Sequence, residues 1–460
     1  MNDAQKNRKS STCASVRSYF REYCESTSIH GFKYLGETEN RPICERLWWV
    51  IVFIFCLSGC SFMIYNIYKK WDKSPVIVTF ATKETAIYEI PFPAVTICPE
   101  TKSDKSKFDF AAAVKRRKQA TTNTKDFMGK KLNCRDSFTP VFTDEGICYS
   151  FNILDRSQIF SDSVTGENNT TWSFEKGYLN KSKFDVYPRR ALLAGASNGL
   201  SLQLTTPKND IDYECKAVQG YRVLLHTPMR MPRLKEEFFR VPLDEAVVVS
   251  VQPTMIGTSE AVKTYNIAKR DCCFPSERKL KFFRDYSQLN CQLECLTNFT
   301  LDLCGCVSIF MPRERETAVC GTSKFECLKE AERTLQTEGL YDKFQEGGVQ
   351  GGTDCDCMPL CTDLSYNTQI SQTSWEKRNE FGKSSTYLSS LTVYFKFNHF
   401  ITSERNELYG PTDFLANFGG LLGLFTGFSI LSLMEIIYFL TLRICCNIKM
   451  YNRWTGINKQ

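Results

Sequence analysis

The sequence predicts a two-span membrane protein with a large, disulfide-rich α+β domain between the spans. Three observations carry that expectation. Two long apolar runs, 46–68 and 414–442, lie towards the two ends of the 460 residues. Fifteen of the 22 cysteines fall between Cys98 and Cys361, a density that belongs to an oxidising compartment. Four glycosylation sequons, at Asn168, Asn169, Asn180 and Asn298, occupy the same interval.

Residues 1–45 are polar and of mixed charge, and are read as a cytosolic N-terminal segment. The first apolar run starts too far in and is too long for the core of a signal peptide, so 46–69 is taken as a signal-anchor helix. A hydrocarbon core about 30 Å thick needs roughly 20 apolar helical residues. Trp48 and Trp49 at one end, and Tyr65 and Tyr68 at the other, suit the two interfaces. Lys69, Lys70 and Lys73 follow this span. Arg41 and Arg46 flank its other end, and the tail after Leu442 holds Arg443, Lys449, Arg453 and Lys459 with no acid. Together with the cysteines and sequons, this puts both termini in the cytosol and 70–409 outside.

Within 70–409, the run Phe92-Pro93-Ala94-Val95-Thr96-Ile97-Cys98 reads as a short strand behind a proline-rich entry. Residues 101–131 read as a polar surface excursion, helical at most near 108–118, and the basic run Lys115–Lys118 as a solvated face. Residues 191–206 read as a hairpin turning at Asn198-Gly199, with further strands at 221–226 and 246–251. Residues 276–296 and 325–344 read as helices, the first placing Cys291 and Cys295 on one side. Cys304/Cys306 and Cys355/Cys357 are Cys-x-Cys pairs; disulfides, not a metal, are expected of them, with the connectivity left open by the sequence. Residues 391–401 alternate as a strand that leads to the second span.

That span, 410–442, is unusual inside. Gly419, Gly423 and Gly427 lie four apart on one helix face, which alone means close helix packing. Glu435 is harder to place: a carboxylate at mid-membrane costs about 2.5–3.5 kcal/mol and is rarely turned to lipid. Small residues and an acid on a span that can break at glycine suggest the wall of an ion path. A basic cytosolic tail, 443–460, follows.

The run GGLLGLFTGFSILSLME resembles the second span of the degenerin/epithelial sodium channel/acid-sensing ion channel superfamily, and Phe92–Cys98 matches that family's signature beyond the first span. The thumb-like stretch LKFFRDYSQLNCQLECLTNF and the phenylalanine of Gly427-Phe428-Ser429 are similar to the insect pickpocket branch. The resemblance implies a trimeric, sodium-preferring channel whose ectodomain has a β palm with helical thumb and finger. Gly427, Phe428 and Ser429 would form the selectivity filter. Ala416, at the degenerin position, would serve pore and gate with Asn417, Gly420 and Glu435, and His30-Gly31 would be the gating motif. The resemblance also implies the pairs Cys98–Cys148, Cys291–Cys357, Cys295–Cys355, Cys304–Cys327 and Cys306–Cys320. Cys361 would pair with one of the vicinal Cys272 and Cys273, of which Cys272 is taken, and Cys134–Cys215 is assigned as a seventh bridge. One departure stands out: where acid-sensing members carry a tryptophan before the first thumb cysteine, this chain has Ala268-Lys269-Arg270-Asp271. Proton gating therefore does not carry over.

The expected function is a subunit of a trimeric, sodium-selective, voltage-independent channel of the plasma membrane, gated through its ectodomain. Its partners would be sodium ions, the bilayer and related subunits in a homo- or hetero-trimer. The alternative is a non-conducting two-span receptor, adhesion protein or accessory subunit. No enzyme, cofactor or nucleic-acid partner is expected. His30, His226 and His399 are scattered without metal-ligand spacing, and the net charge of +7 is unremarkable for this length. The ATP-gated trimeric channels share two spans and a cysteine-rich ectodomain, but the Phe92–Cys98 run and the context of Gly427–Ser429 disfavour them.

Overall fold

The structure is a computed structural model. It describes residues 16–36, 42–73, 76–100, 123–128, 134–161, 172–173, 177–178, 186–208, 211, 218–344, 355–375 and 385–451. The chain divides into two compact units, Val78–Asn406 and a second built from Met1–Ile77 with Glu407–Gln460.

The larger unit is built on two sheets. The strands are β1 (Val76–Ala86), β2 (Ala94–Pro99), β3 (Asn123–Phe127), β4 (Phe138–Thr143), β5 (Gly146–Phe151), a two-residue pair β6 (Trp172–Ser173) and β7 (Gly177–Tyr178), β8 (Leu200–Pro207), β9 (Tyr221–His226), β10 (Phe239–Val241), β11 (Glu245–Thr258), β12 (Asp363–Ser374), β13 (Thr386–Phe395) and β14 (His399–Glu407). One sheet runs β1-β14-β11-β13-β8-β3, with β12 also on β11; the other runs β10-β9-β2-β5-β4. Period-two alternation sets the register of the first: Leu200, Leu202 and Leu204, Val247, Val249 and Val251, and Leu391, Val393 and Phe395 are all buried. The sheets meet at an aromatic cluster. Phe92 stands 5.2 Å from Phe127, 5.4 Å from Phe395 and 6.4 Å from Phe151, in edge-on geometries such rings favour. Asn152 ties the entry of β2 by donating to Phe92 O at 2.6 Å.

The expected hairpin over 191–206 does not form. Only β8 is a strand; Ala196–Asn198 is a single 3-10 turn. The backbone upstream bonds elsewhere: Gly195 N donates to Phe395 O at 3.0 Å, and Ala194 N to Asn398 Oδ1 at 2.7 Å. A side chain at Gly199 would strike the Val393 carbonyl, so this glycine serves a close backbone approach, not a primed turn. Residues 391–401 are likewise not one strand. β13 and β14 both run parallel to β11, but the register slips by three residues between them. Asn398 causes the break, since its carbonyl accepts from Ile87 N at 3.0 Å while its side chain holds Ala194. Inside the polar 101–131 excursion, β3 pairs with β8; residues 108–118 lie outside the described residues.

The helical part consists of the helices Gln288–Cys304 and Phe325–Phe344. The first starts later than the expected Ser276, because Ser287 caps it by accepting from Asn290 N at 3.2 Å. Residues 276–287 instead wrap across it: Glu294 accepts from the backbone N–H of Lys281 and of Phe282, each at 2.9 Å. Disulfides Cys291–Cys357 and Cys295–Cys355 join this helix to the extended strip beside it, Cys304–Cys327 joins it to the next helix, and Cys306–Cys320 closes the loop between. Cys272–Cys361 closes the base, leaving Cys273 a buried thiol, and Cys98–Cys148 joins β2 to β5. Cys134 is described, but Cys215 lies outside the described residues, as do Asn168, Asn169 and Asn180. Asn298 is exposed on the first of these helices.

At the departure noted above, Arg270 is buried. Its guanidinium donates to Cys272 O at 3.0 Å and Tyr265 O at 2.9 Å, pairs with Glu277, and lies 4.8 Å from the Phe274 ring centre. The residues 268–271 thus stitch the base of the helical region together around a cation, with no indole involved.

Candidate functional site

The site is built inside the smaller unit. Its elements are α1 (16–26), α2 (Ile43–Lys73), α3 (Pro411–Thr426), α4 (Ile430–Leu440) and α5 (Leu442–Tyr451). Among the described residues, two stretches are long and apolar enough to cross a membrane, Ile43–Lys73 and Ile430–Tyr451. Helix α2 packs on α3 through rings. Trp71 lies 5.7 Å from Phe414, and the Phe425 ring lies over Gly59, where an added Cβ would sit 3.2 Å from it.

The run 414–442 is two helices with a break at Gly427-Phe428-Ser429. The break is capped from both sides. Gly427, at φ +67°, ends α3 in the left-handed conformation, its N–H donating to Gly423 O at 2.9 Å. Ser429 starts α4: its hydroxyl accepts from Ser432 N at 3.3 Å, and Ser432 Oγ accepts from Ser429 N at 3.1 Å. The glycine, the two serines and the short spacing therefore dictate a sharp, repeatable interruption of a membrane-length helix.

A turn from the N-terminal segment, 27–31, seats against that break. His30 N donates to Thr426 O at 3.0 Å, and a side chain at Gly427 would collide with the His30 imidazole. Ser28 Oγ is 2.8 Å from Ser432 Oγ. Glu435 receives three donors from the same turn: Ser28 N at 3.0 Å, Ser28 Oγ at 3.2 Å and Thr27 Oγ1 at 3.4 Å. A carboxylate bound by a backbone N–H and two hydroxyls is compensated for the water it loses, which explains how an acid is tolerated in α4 beyond the break. Gly31, at φ +87°, lets the chain leave the turn towards a short helix, Phe32–Gly36.

Aromatic and ionic contacts hold the turn in place. Tyr23 is 5.3 Å from Phe439, Tyr19 Oη donates to Phe439 O at 2.6 Å, Phe32 is 5.2 Å from Phe53, and Tyr34 stacks on Trp49 at 4.3 Å. Glu22 pairs with Arg443 at 2.5 Å. The N-terminal segment is thus fixed to α2, α4 and α5 together.

The structure brings His30, Gly31, Gly427, Ser429 and Glu435 into one cluster. Ala416, Asn417 and Gly420 lie on exposed α3, N-terminal to this cluster and outside it; Asn417 Nδ2 donates to Asp413 O at 2.8 Å, and nothing lies within 4 Å of a Cβ placed on Gly419 or Gly420. Thr27, Ser28 and Ser432 belong to the site but were not singled out from the sequence. The available signal was the Thr27-Ser28 pair, separated from His30 by Ile29 alone, and the Ser-x-x-Ser spacing at Ser429.

Against known proteins, the model of the family described as "Amiloride-sensitive sodium channel" matches residues 23–130 and 124–439. Pickpocket protein 28 of Drosophila melanogaster is 29% identical over 487 residues, covering 92% of this chain and 78% of its own length. Pickpocket protein 11 of the same fly is 24% identical over 458 residues, covering 93% and 77%. Acid-sensing ion channel 4-B of Danio rerio is 22% identical over 449 residues, covering 90% and 74%. With the family's match running from the N-terminal turn to the end of α4, this chain belongs to the amiloride-sensitive sodium channel family, and its relatives place it with the insect pickpocket branch.

Proposed function

We propose that the chain is one subunit of a trimeric, sodium-selective, voltage-independent cation channel of the plasma membrane, opened through its ectodomain. In this reading 1–45 and 443–460 are cytosolic, 46–69 and 410–442 cross the bilayer, and 70–409 is extracellular. Three copies, identical or from related subunits, surround one path. Gly427, Phe428 and Ser429 line its narrowest part, and Ala416, Asn417 and Gly420 line the segment outside it.

The observation that carries the reading is the doubly capped break in α3–α4, gripped by the turn 27–31. Interrupted backbone at membrane depth survives where it is buried in protein or faces water, and there its polar groups can replace an ion's hydration shell. Glu435 acts in this scheme by anchoring the turn beneath the filter, so His30 and Gly31 influence the gate by the position of that turn. A non-conducting anchor has no use for either feature.

The test is expression in oocytes, alone and with related subunits. Ala416→Val, which puts a bulkier side chain on the exposed face of α3, is expected to give a standing inward current carried by sodium. Ser429→Ala in that background is expected to change the sodium-to-potassium permeability ratio. Standing currents whose ion preference ignores both substitutions would overturn the reading.

A further inference from the structure

Three serine hydroxyls link the break to Glu435, and the direction of each proton along them follows from the chemistry of the last group. Glu435, as a carboxylate, has no proton to give and only accepts. Ser28 Oγ, 3.2 Å from Glu435 Oε2, therefore donates its one proton there. With that proton committed, the 2.8 Å contact between Ser28 Oγ and Ser432 Oγ requires Ser432 to be the donor. Ser432 then has two lone pairs left. One accepts from Ser429 N at 3.1 Å, and the other takes the Ser429 hydroxyl at 3.3 Å, which is now the donor. Ser429 Oγ in turn accepts from Ser432 N at 3.3 Å and keeps one lone pair. Ser432 is buried, so its proton stays within this chain of oxygens, whereas Ser429 is exposed.

We propose that Ser28, Ser432 and Glu435 are positioning residues for ion preference: they align the hydroxyl protons from Ser429 towards the carboxylate, so that Ser429 presents an oxygen lone pair, and no hydrogen, to the permeating cation. The inference rests on the reading of Gly427–Ser429 as the filter. Each proton donated along such a chain polarises the next hydroxyl, so the Ser429 oxygen becomes more negative than an isolated serine would make it. A more negative oxygen favours the smaller of two equally charged ions, because the attraction grows as the distance shrinks. The N-terminal turn thus contributes to the filter through Ser28 as well as bracing it. Without the Ser28 hydroxyl, the Ser432 proton has Ser429 Oγ as its remaining partner among the described hydrogen bonds. That lone pair is then occupied, and the Ser429 hydrogen is turned outward, where it repels a cation.

The experiment uses the full-length chain in oocytes, in the Ala416→Val background, with surface delivery verified by biotinylation. Ser28→Ala is expected to lower the sodium-to-potassium permeability ratio by about two- to fivefold, the scale of one net hydrogen bond. Ser28→Thr, which keeps the hydroxyl, is expected to retain the ratio. In the Ser432→Ala background no buried hydroxyl can be redirected onto Ser429, so adding Ser28→Ala is expected to leave the ratio where Ser432→Ala puts it. A smaller current in Ser28→Ala with its ratio intact would mean that Ser28 only holds the turn, and would overturn the proposal. So would a shift by Ser28→Ala that persists undiminished in the Ser432→Ala background. Either result leaves the filter reading standing as long as Ser429→Ala alters the ratio. A ratio indifferent to Ser429→Ala would overturn the filter reading and the proposal together.

Discussion

At Gly427 the backbone adopts φ +67° and the His30 ring occupies the space a side chain would need. A left-handed conformation costs an L-residue about 1–2 kcal/mol before any clash is counted. Gly427→Ala is therefore expected to abolish current even where the protein reaches the surface, and His30→Ala should recover only the part owed to the clash. Glu435 and Ser28 act as one unit through the 3.0 Å backbone and 3.2 Å hydroxyl bonds. In a double-mutant cycle on the standing current of Ala416→Val, Ser28→Ala and Glu435→Gln should be strongly non-additive; simple additivity would mean the contact does not bear on gating. In the larger unit, His226 is buried, with Nε2 2.8 Å from Thr96 Oγ1 and Nδ1 2.9 Å from Thr227 O. Nδ1 faces a carbonyl and so carries the proton of the neutral ring. Burial pushes the ring's pKa down from 6.5 to about 4. The unfolded chain therefore takes up this proton first as pH falls. The penalty is absent above about pH 6.5 and grows to about 3 kcal/mol as pH falls towards 4. Thermal unfolding of the purified chain at pH 7.5 and pH 5 should show a smaller acid loss in His226→Gln; an unchanged loss would place the acid sensitivity elsewhere.

Among the elements, the two ectodomain helices depend on covalent ties more than on surface charge. Cys295→Ser/Cys355→Ser removes one rung and is expected to destabilise by about 2–4 kcal/mol, seen as a lower melting temperature and protease cleavage within 325–344. Glu314→Ala breaks only the exposed pair with Lys281 and should shift stability by less than about 1 kcal/mol. The same contrast governs what could be read from the chain. Strands β9 and β11 and the helix Phe325–Phe344 were legible because local period and composition determine them. The break at Gly427–Ser429 was legible because glycine and serine punctuate an otherwise uniform apolar run. The hairpin over 191–206 failed because Gly195 and Ala194 find partners in the β13–β14 interruption, about two hundred residues away. Arg270 was seen only as a missing tryptophan, since its four partners come from turns that no periodicity reveals. Ser28 escaped notice for the same reason: its value lies in Ser432 and Glu435, which only the tertiary structure brings to it.

For the molecule as a whole, one unit is a disulfide-braced pair of sheets with two helices, and the other is a set of apolar helices closed around an interrupted span. The first is braced by buried alternating strands and, among the described residues, six bridges. In the second, the interruption is held by a few hydrogen bonds to one short turn, which in the function proposed above suits a gate that must change state. In the function proposed above, Ser429 is the residue that has to meet the permeating ion. Cysteine accessibility at this position in the Ala416→Val background tests it most directly. A small thiol-reactive cation applied to Ser429→Cys should block the sodium current quickly and irreversibly, and should be slowed by high sodium. A conducting Ser429→Cys channel that is indifferent to the reagent, while a cysteine at Asn417 reacts, would contradict a path running past the break.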